Sequence, residues 1–77
     1  MDTSKIKEHM EVLGSDGQHV GTVDHMEGGE KVRLTKSDVA SHGHHHLIPV
    51  SWVAKVDDKV HLSKSSREVM DAWEHVA

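Results

Sequence analysis

The segment His42-Gly-His-His-His-Leu-Ile-Pro-Val-Ser-Trp-Val53 joins a histidine run to a short apolar run. It contains four of the nine histidines, the only proline and one of the two tryptophans of this 77-residue chain. The histidine half suggests chemistry, whereas the apolar half predicts a strand that enters a hydrophobic core. Because proline donates no hydrogen bond to a ladder, we expect the strand that begins at His44 or His45 to be an edge, or to end, near Pro49.

Short strands separated by turns are predicted on both sides of this segment. Asp16-Gly17 is a tight-turn signal, because glycine supplies the positive φ that hairpins need. Gly21 lies inside the next strand and suggests a bulge, which would point both Val20 and Val23 inward. The predicted strands cover residues 10–14, 19–26, 32–36, 44–50, 52–56 and 60–62, after a single helical turn at 5–9.

The pattern changes to a helix near the end of the chain. Ser65 and Glu68 have the spacing of a capping box, in which the serine and glutamate side chains each accept a hydrogen bond from a backbone amide. Apolar residues then follow at helical spacing: Val69, Met70, Trp73 and Val76. We therefore expect one domain over residues 1–77, with a barrel at about 9–63 and a C-terminal α-helix at about 66–76 that docks on the sheet or on a second subunit.

The composition limits how so small a domain is stabilised. The chain has no cysteine, so disulfides and thiolate metal sites are excluded. Three sources of stability remain for a chain of this size: a metal held by histidine and carboxylate, a homo-oligomer, or a core that is just sufficient. We rank oligomerisation first, since symmetric dimers are the commonest assembly.

Charge and hydropathy narrow the classes of partner. Net charge is −4 with histidine neutral, and nine added protons would make it +5. The acidic balance at neutral pH disfavours a phosphate backbone, and without Phe or Tyr there is no stacking platform for bases. The sequence therefore predicts no nucleic-acid and no membrane partner. The N-terminus lacks the apolar core of a signal peptide, which favours a cytoplasmic protein.

Several elements together resemble a known family. They are the run Val12-Leu-Gly-Ser-Asp-Gly-Gln-His-Val-Gly-Thr-Val-Asp24, then Ile48-Pro-Val-Ser-Trp-Val53, Val56-Asp57 and Val60-His-Leu62. They resemble the bacterial family called domain of unknown function 2171, over the chain from Ile6 to about Trp73. That family is similar to PRC-barrel domains. The resemblance implies a mainly β fold, a small antiparallel PRC-barrel-like β-barrel of about six short strands with a C-terminal α-helix.

The same resemblance implies little about activity. PRC-barrel domains are commonly modules that dock on other proteins, and the resemblance supplies no catalytic residue to assign here. The activity of the 2171 family is unassigned. Any metal role for the histidines therefore depends on this sequence alone.

The histidine run is the candidate metal site. On a strand, His44 and His46 point to one face and His45 to the other, so the first two could chelate one ion. His42 or Asp38 could supply a third ligand, and imidazole without sulfur suits a divalent metal such as Zn, Ni or Cu. Two other interpretations remain open. The run is either a solvated loop that enters a strand, or a pH-responsive cluster whose members repel one another once protonated.

The function we favour from the sequence is a non-enzymatic protein-binding or adaptor module that forms a homodimer. Its candidate partner contacts are Trp52, Trp73 and Pro49, through edge-strand pairing near Pro49 or helix exchange through Trp73. No nucleophile motif and no phosphate loop is visible, so catalysis has little support apart from a weaker option, a metal-assisted hydrolase at the histidine run. Of the scattered histidines, His19 or His25 is expected to be half-buried.

Overall fold

A computed structural model describes residues 5–36 and 43–76, and within these ranges the chain is mainly β with one helix near its C-terminal end. A 3₁₀ turn at Val50–Trp52 separates the fourth and fifth strands. In chain order the elements are β1 Glu11–Leu13, β2 His19–Glu27, β3 Lys31–Leu34, β4 His45–Pro49, β5 Val53–Val56, β6 Val60–Leu62, α1 Ser66–Ala72 and β7 Glu74–Val76. The predicted end of the fourth strand at the proline is confirmed, since β4 ends at Pro49.

The strands form one sheet in the order β5-β6-β1-β2-β3-β4-β7. The expectation of an all-antiparallel sheet is wrong, because β1 and β6 pair in parallel, with Val12 beside Val60. The expectation of a closed barrel is wrong as well, because β5 and β7 stand at opposite ends of the strand order in the described chain. The physical reason is that β7 pairs with the edge of β4 that β5 would need to complete a ring.

The sheet is nevertheless strongly curled. In the strand order, β5 is the first strand and β4 is the sixth, yet only the three residues Val50–Trp52 connect them. An extended chain advances at most about 3.6 Å per residue, so this connection spans no more than about 14 Å. Two backbone hydrogen bonds hold it in place, from Val50 N to Glu30 O at 2.9 Å and from Ser63 N to Trp52 O at 2.8 Å. The two ends of the sheet are therefore brought close together without a continuous ladder between them.

Strand β2 bends to allow this curl. Its register shifts between the pairs Val12–Gly21 and Leu13–His19, which confirms the predicted irregularity at Gly21. As predicted, Val20 and Val23 both face inward, each only 1% exposed. A Cβ on Gly21 would lie 3.1 Å from Leu34 Cδ1, so the missing side chain lets β3 pack closely here. The core inside the curl consists of Ile6, Val12, Val20, Val23, Val32, Leu34, Ile48, Val53, Val60, Leu62, Val69 and Trp73.

The predicted capping box of the helix is confirmed. Ser65 Oγ accepts from Glu68 N at 3.2 Å, and Glu68 Oε1 accepts from Ser65 N at 3.0 Å. The helix is shorter than the predicted 66–76, because Trp73 is extended (φ −68°, ψ 157°) and residues 74–76 become β7. Pairing of β7 with β4 outweighs the helical spacing of the apolar residues.

The β1–β2 turn is fastened to the start of this helix. Asp16 Oδ2 accepts from Ser66 Oγ at 2.9 Å, and Asp16 Oδ1 accepts from Ser66 N at 3.2 Å. The hydroxyl of Ser66 is the largest cause that lowers the pKa of the Asp16 carboxyl. A third hydrogen bond runs from Ser15 N to Lys64 O at 2.8 Å. A single aspartate thus both shapes the turn and holds the helix against it.

Replacing Gly14 should destabilise the fold at this junction. A Cβ on Gly14 would overlap the backbone nitrogen of Ser66 and would lie 2.7 Å from Asp16 Oδ1. The first neighbour is backbone, and the second is held by the hydrogen bonds from Ser66, so neither can move away cheaply. We expect Gly14→Ala to lower the free energy of unfolding by about 1–3 kcal/mol in urea denaturation. Ser15→Ala, at the next and exposed position, is the matched control. Equal stability of the two variants would contradict this packing.

Removing the Ser66 hydroxyl should raise the pKa of Asp16 toward its ordinary value. A carboxyl whose folded pKa is lowered contributes stability above its ordinary pKa, and that stability is lost as pH falls through the folded pKa. Ser66→Ala should therefore destabilise the domain at neutral pH, and the difference from wild type should shrink in acid. Carboxyl ¹³C titration by NMR, with denaturation at several pH values, measures both effects. Ser51→Ala, an exposed serine elsewhere, should leave both unchanged.

Candidate functional site

The histidine run enters the sheet differently from the metal-site prediction. His44 is exposed and precedes β4, while His45 is half-buried with its Nδ1 3.1 Å from the carbonyl oxygen of Leu34. His46 is only 1% exposed and stacks on Trp73, with ring centroids 3.7 Å apart and planes at 14°. The alternative interpretation of the run as a solvated loop that enters a strand therefore does not hold for His46, because His46 and Ile48 point into the core.

This placement changes what the run can do with a metal. His46 is held in the core by the Trp73 stack, so it is not presented to solvent as a ligand. Among residues 5–36 and 43–76, no group of three histidine or acidic side chains is arranged to hold an ion. His42 and Asp38 lie outside the described residues. The metal site of His42, His44 and His46, with Asp38 or His45 as a possible further ligand, stays a prediction.

Two histidines on the outer face of the β6-β1-β2 region are paired with carboxylates. His19 Nδ1 lies 2.9 Å from Glu11 Oε2, and Glu11 also accepts from the ammonium group of Lys59. The bond from Lys59, followed by that from His19, lowers the pKa of the Glu11 carboxyl. His19 and His25 are both exposed, so the prediction that one of them is half-buried is wrong.

The second of these pairs lies at the β5–β6 turn. His61 Nε2 is 2.9 Å from Asp57 Oδ1, four residues earlier in the chain. Asp57 Oδ1 also accepts from the backbone amide of Lys59 at 2.9 Å. That amide is the first cause, and His61 the second, that lowers the pKa of Asp57 to about 2. Asp57 therefore carries a full negative charge throughout the neutral range.

A larger charged cluster covers the outer face of β2, β3 and β4. Asp24 Oδ2 lies 3.4 Å from His25 Nδ1, 3.6 Å from Arg33 Nε and 3.9 Å from His45 Nδ1. Glu27 completes the cluster, with Oε2 3.3 Å from an Arg33 Nη1 and Oε1 3.5 Å from His25 Nε2. His19, His25, His45 and His61 thus each have an acidic neighbour.

These pairs could not be identified from the sequence, although the sequence contains a partial signal for one of them. Asp57 and His61 are four residues apart in the sequence and flank a predicted turn. Unlike a helix, a turn has no fixed spacing at which side chains come into contact, so this pair could not be assigned. Glu11 and His19 meet only because β1 and β2 pair with a shifted register. The contacts among β2, β3 and β4 require the strand order, which alternation alone does not encode.

The three predicted partner contacts differ in how much of each side chain is exposed. Trp73 is only 8% exposed, so in the folded monomer it serves the core and offers a partner little surface. Trp52 is half-buried, and Lys64 Nζ lies 5.4 Å from its ring centroid. Pro49 is half-buried at the end of β4, opposite Lys31 of β3. Trp52 is thus the better placed of the two tryptophans for an external contact.

Comparison with protein-family models gives one match, to domain of unknown function 2171, described as an uncharacterized protein conserved in bacteria. The match covers residues 6–70. The chain belongs to this family. No curated protein matches it. The matched span of the 2171 domain includes all strands from β1 to β6 and the capping box of α1, and it stops before Trp73 and β7.

The described surface of this 2171 domain has no concave binding site. No pocket is found on the surface formed by residues 5–36 and 43–76. In those same ranges, no helix has the length and apolar character needed to cross a membrane. The candidate functional features are therefore the exposed strand edges, Trp52 and the outward-facing charged groups.

A pair of histidine variants separates a structural role from an exposed one within the run. Truncating His46 removes the ring that covers Trp73 and leaves a cavity in the core. We expect His46→Ala to lower the free energy of unfolding by about 2–5 kcal/mol, as for other large-to-small core substitutions. His44→Ala, at an exposed position two residues earlier, should change it by less than about 0.5 kcal/mol. Urea denaturation followed by circular dichroism measures both, and similar losses for the two variants would refute the assignment.

Proposed function

We propose that this 2171 domain is a non-enzymatic protein-binding module that recruits a partner along the exposed edge of β5. The observation that carries the proposal is that β5 pairs with β6 on one side and, within the described chain, has no strand on the other. An unpaired strand edge presents amide and carbonyl groups to which an extended segment of another protein can add. The cytoplasm predicted from the sequence is the proposed setting.

The backbone of β5 indicates which groups this edge presents. Antiparallel ladders alternate between hydrogen-bonded and non-hydrogen-bonded pairs. Asp57 N donates to Lys59 O at 3.0 Å, and this bond flanks the Val56–Val60 pair. That pair is therefore non-hydrogen-bonded, and the amide and carbonyl of Val56 point away from β6. They supply one donor and one acceptor to an incoming strand.

A side-chain anchor lies at the start of the same edge. Trp52 immediately precedes β5, is half-buried against the core and has Lys64 above its ring. Tryptophan contributes large contact area at low entropic cost and is enriched among the residues that dominate binding energy. Residues Ala54 and Lys55 of β5 are both exposed, so a partner strand is not blocked by bulky apolar groups. Strand addition and an aromatic anchor together form a coherent binding surface.

Site-specific photo-crosslinking tests this proposal. A benzophenone amino acid at Ala54, on β5, should give a covalent protein adduct when bacterial cells that express the domain are irradiated. The same group at Arg67, exposed on α1, is the control and should give none. Mass spectrometry identifies the captured protein, which is either another copy of the domain or a different protein. Absence of any adduct at Ala54, or equal labelling at both positions, would contradict β5 as the binding edge.

A further inference from the structure

We propose that the partner strand is β5 of a second copy, paired antiparallel about Val56, with Lys55 of each copy facing Asp57 of the other. This inference rests on the proposed binding role of the β5 edge and specifies its occupant. The geometry that supports it is the outward direction of the Val56 backbone, the shared face of Lys55 and Asp57, and the opposite charges of those two residues. The resulting assembly is a two-fold dimer.

The backbone geometry sets the register of such a dimer. The amide and carbonyl of Val56 point to the open edge, as shown by the neighbouring bond from Asp57 N to Lys59 O. Two antiparallel strands related by a two-fold axis can exchange both hydrogen bonds between a residue and its own symmetry mate. Placing Val56 on the axis therefore satisfies its donor and acceptor in both copies. Lys55 of each copy then lies opposite Asp57 of the other copy.

The side chains at those positions share the outer face of the sheet. Lys55 is paired with His61 across the β5–β6 ladder, and residues directly opposite in a ladder project from the same face. The imidazole of His61 also meets the carboxylate of Asp57 at 2.9 Å. Asp57 and Lys55 are therefore on one face, and pairing about Val56 brings each lysine next to a carboxylate of the second copy.

Charge makes this pairing selective for the chain itself. Asp57 is fully ionised at neutral pH, because the Lys59 amide and His61 lower its pKa to about 2. Lys55 is exposed, and no carboxylate among residues 5–36 and 43–76 forms an ion pair with it. A lysine on an edge strand normally discourages unspecific strand addition. An incoming strand that carries an acidic residue at the matching position relieves that penalty, and Asp57, which directly follows β5, is such a residue.

The inner face adds an apolar contact to the same register. Val56 is half-buried and packs against the core, so two symmetry-related Val56 side chains would meet beside the axis. The bulge between Val53 and Lys55 lies before this segment and bends the edge away, which limits pairing to the stretch around Val56. The interface is accordingly small, and we expect a reversible dimer with a dissociation constant in the micromolar range or weaker.

Sedimentation equilibrium of the full chain, from micromolar to millimolar concentration, tests the dimer with charge-matched variants. Lys55→Glu should raise the dimer dissociation constant at least tenfold, because two carboxylates then face each other. Lys7→Glu makes the same change in net charge at an exposed lysine of the N-terminal segment and should leave the constant within twofold of wild type. High salt should weaken the wild-type dimer more than the Lys55→Glu variant.

A backbone variant supplies the second readout. Val56→Pro removes an amide that points away from β6, so the monomer should keep its circular-dichroism spectrum while the dimer is lost. A wild-type chain that remains monomeric at millimolar concentration, or a dimer unaffected by both Lys55→Glu and Val56→Pro, would overturn the inference. A monomeric wild type that still gives crosslinks from Ala54 to a different protein would reject only the self-pairing. Absence of all crosslinks from Ala54 would reject the binding edge itself.

Discussion

The three-residue link Val50–Trp52 is the constraint on which the rest of the structure depends. It joins β4 to β5 across the strand order, so the sheet must curl until its two halves come together. That curl needs a strand that bends, which β2 provides through its register shifts and the missing side chain of Gly21. The open side of the curl must also be covered. The helix α1 contributes to this cover by placing Val69 in the core. A small hydrophobic core is thereby enclosed without a closed ladder.

Features determined by a few neighbouring residues could be predicted from the sequence. The Asp16-Gly17 turn, the capping box at Ser65 and the inward direction of both Val20 and Val23 all agree with the structure. Strand order and direction could not be predicted, because alternation of apolar residues specifies a buried face and not a neighbour. The end of the helix was missed for the same reason. Its position depends on β7 pairing with β4, a contact that joins distant parts of the chain.

The histidines show the same limit on the functional side. A run of histidines indicates metal chemistry by composition, but packing assigns each ring separately. His46 completes the core against Trp73, His45 lies against the backbone of Leu34, and His44 is exposed. Only the last of these has the environment that the sequence suggested for the run. Histidines outside the run, such as His61, are instead oriented by a neighbouring carboxylate.

The two ends of the sheet are not equivalent, and their difference links the fold to the proposed function. The strand β7 occupies the edge of β4 and so prevents β5 from completing a ring. The backbone groups that closure would have used on β5 remain directed outward, most clearly at Val56. A closed barrel would have removed this edge. The same pairing that keeps the curled sheet from closing therefore leaves a strand edge, flanked by Trp52 and by opposite charges, to which we propose that another chain adds.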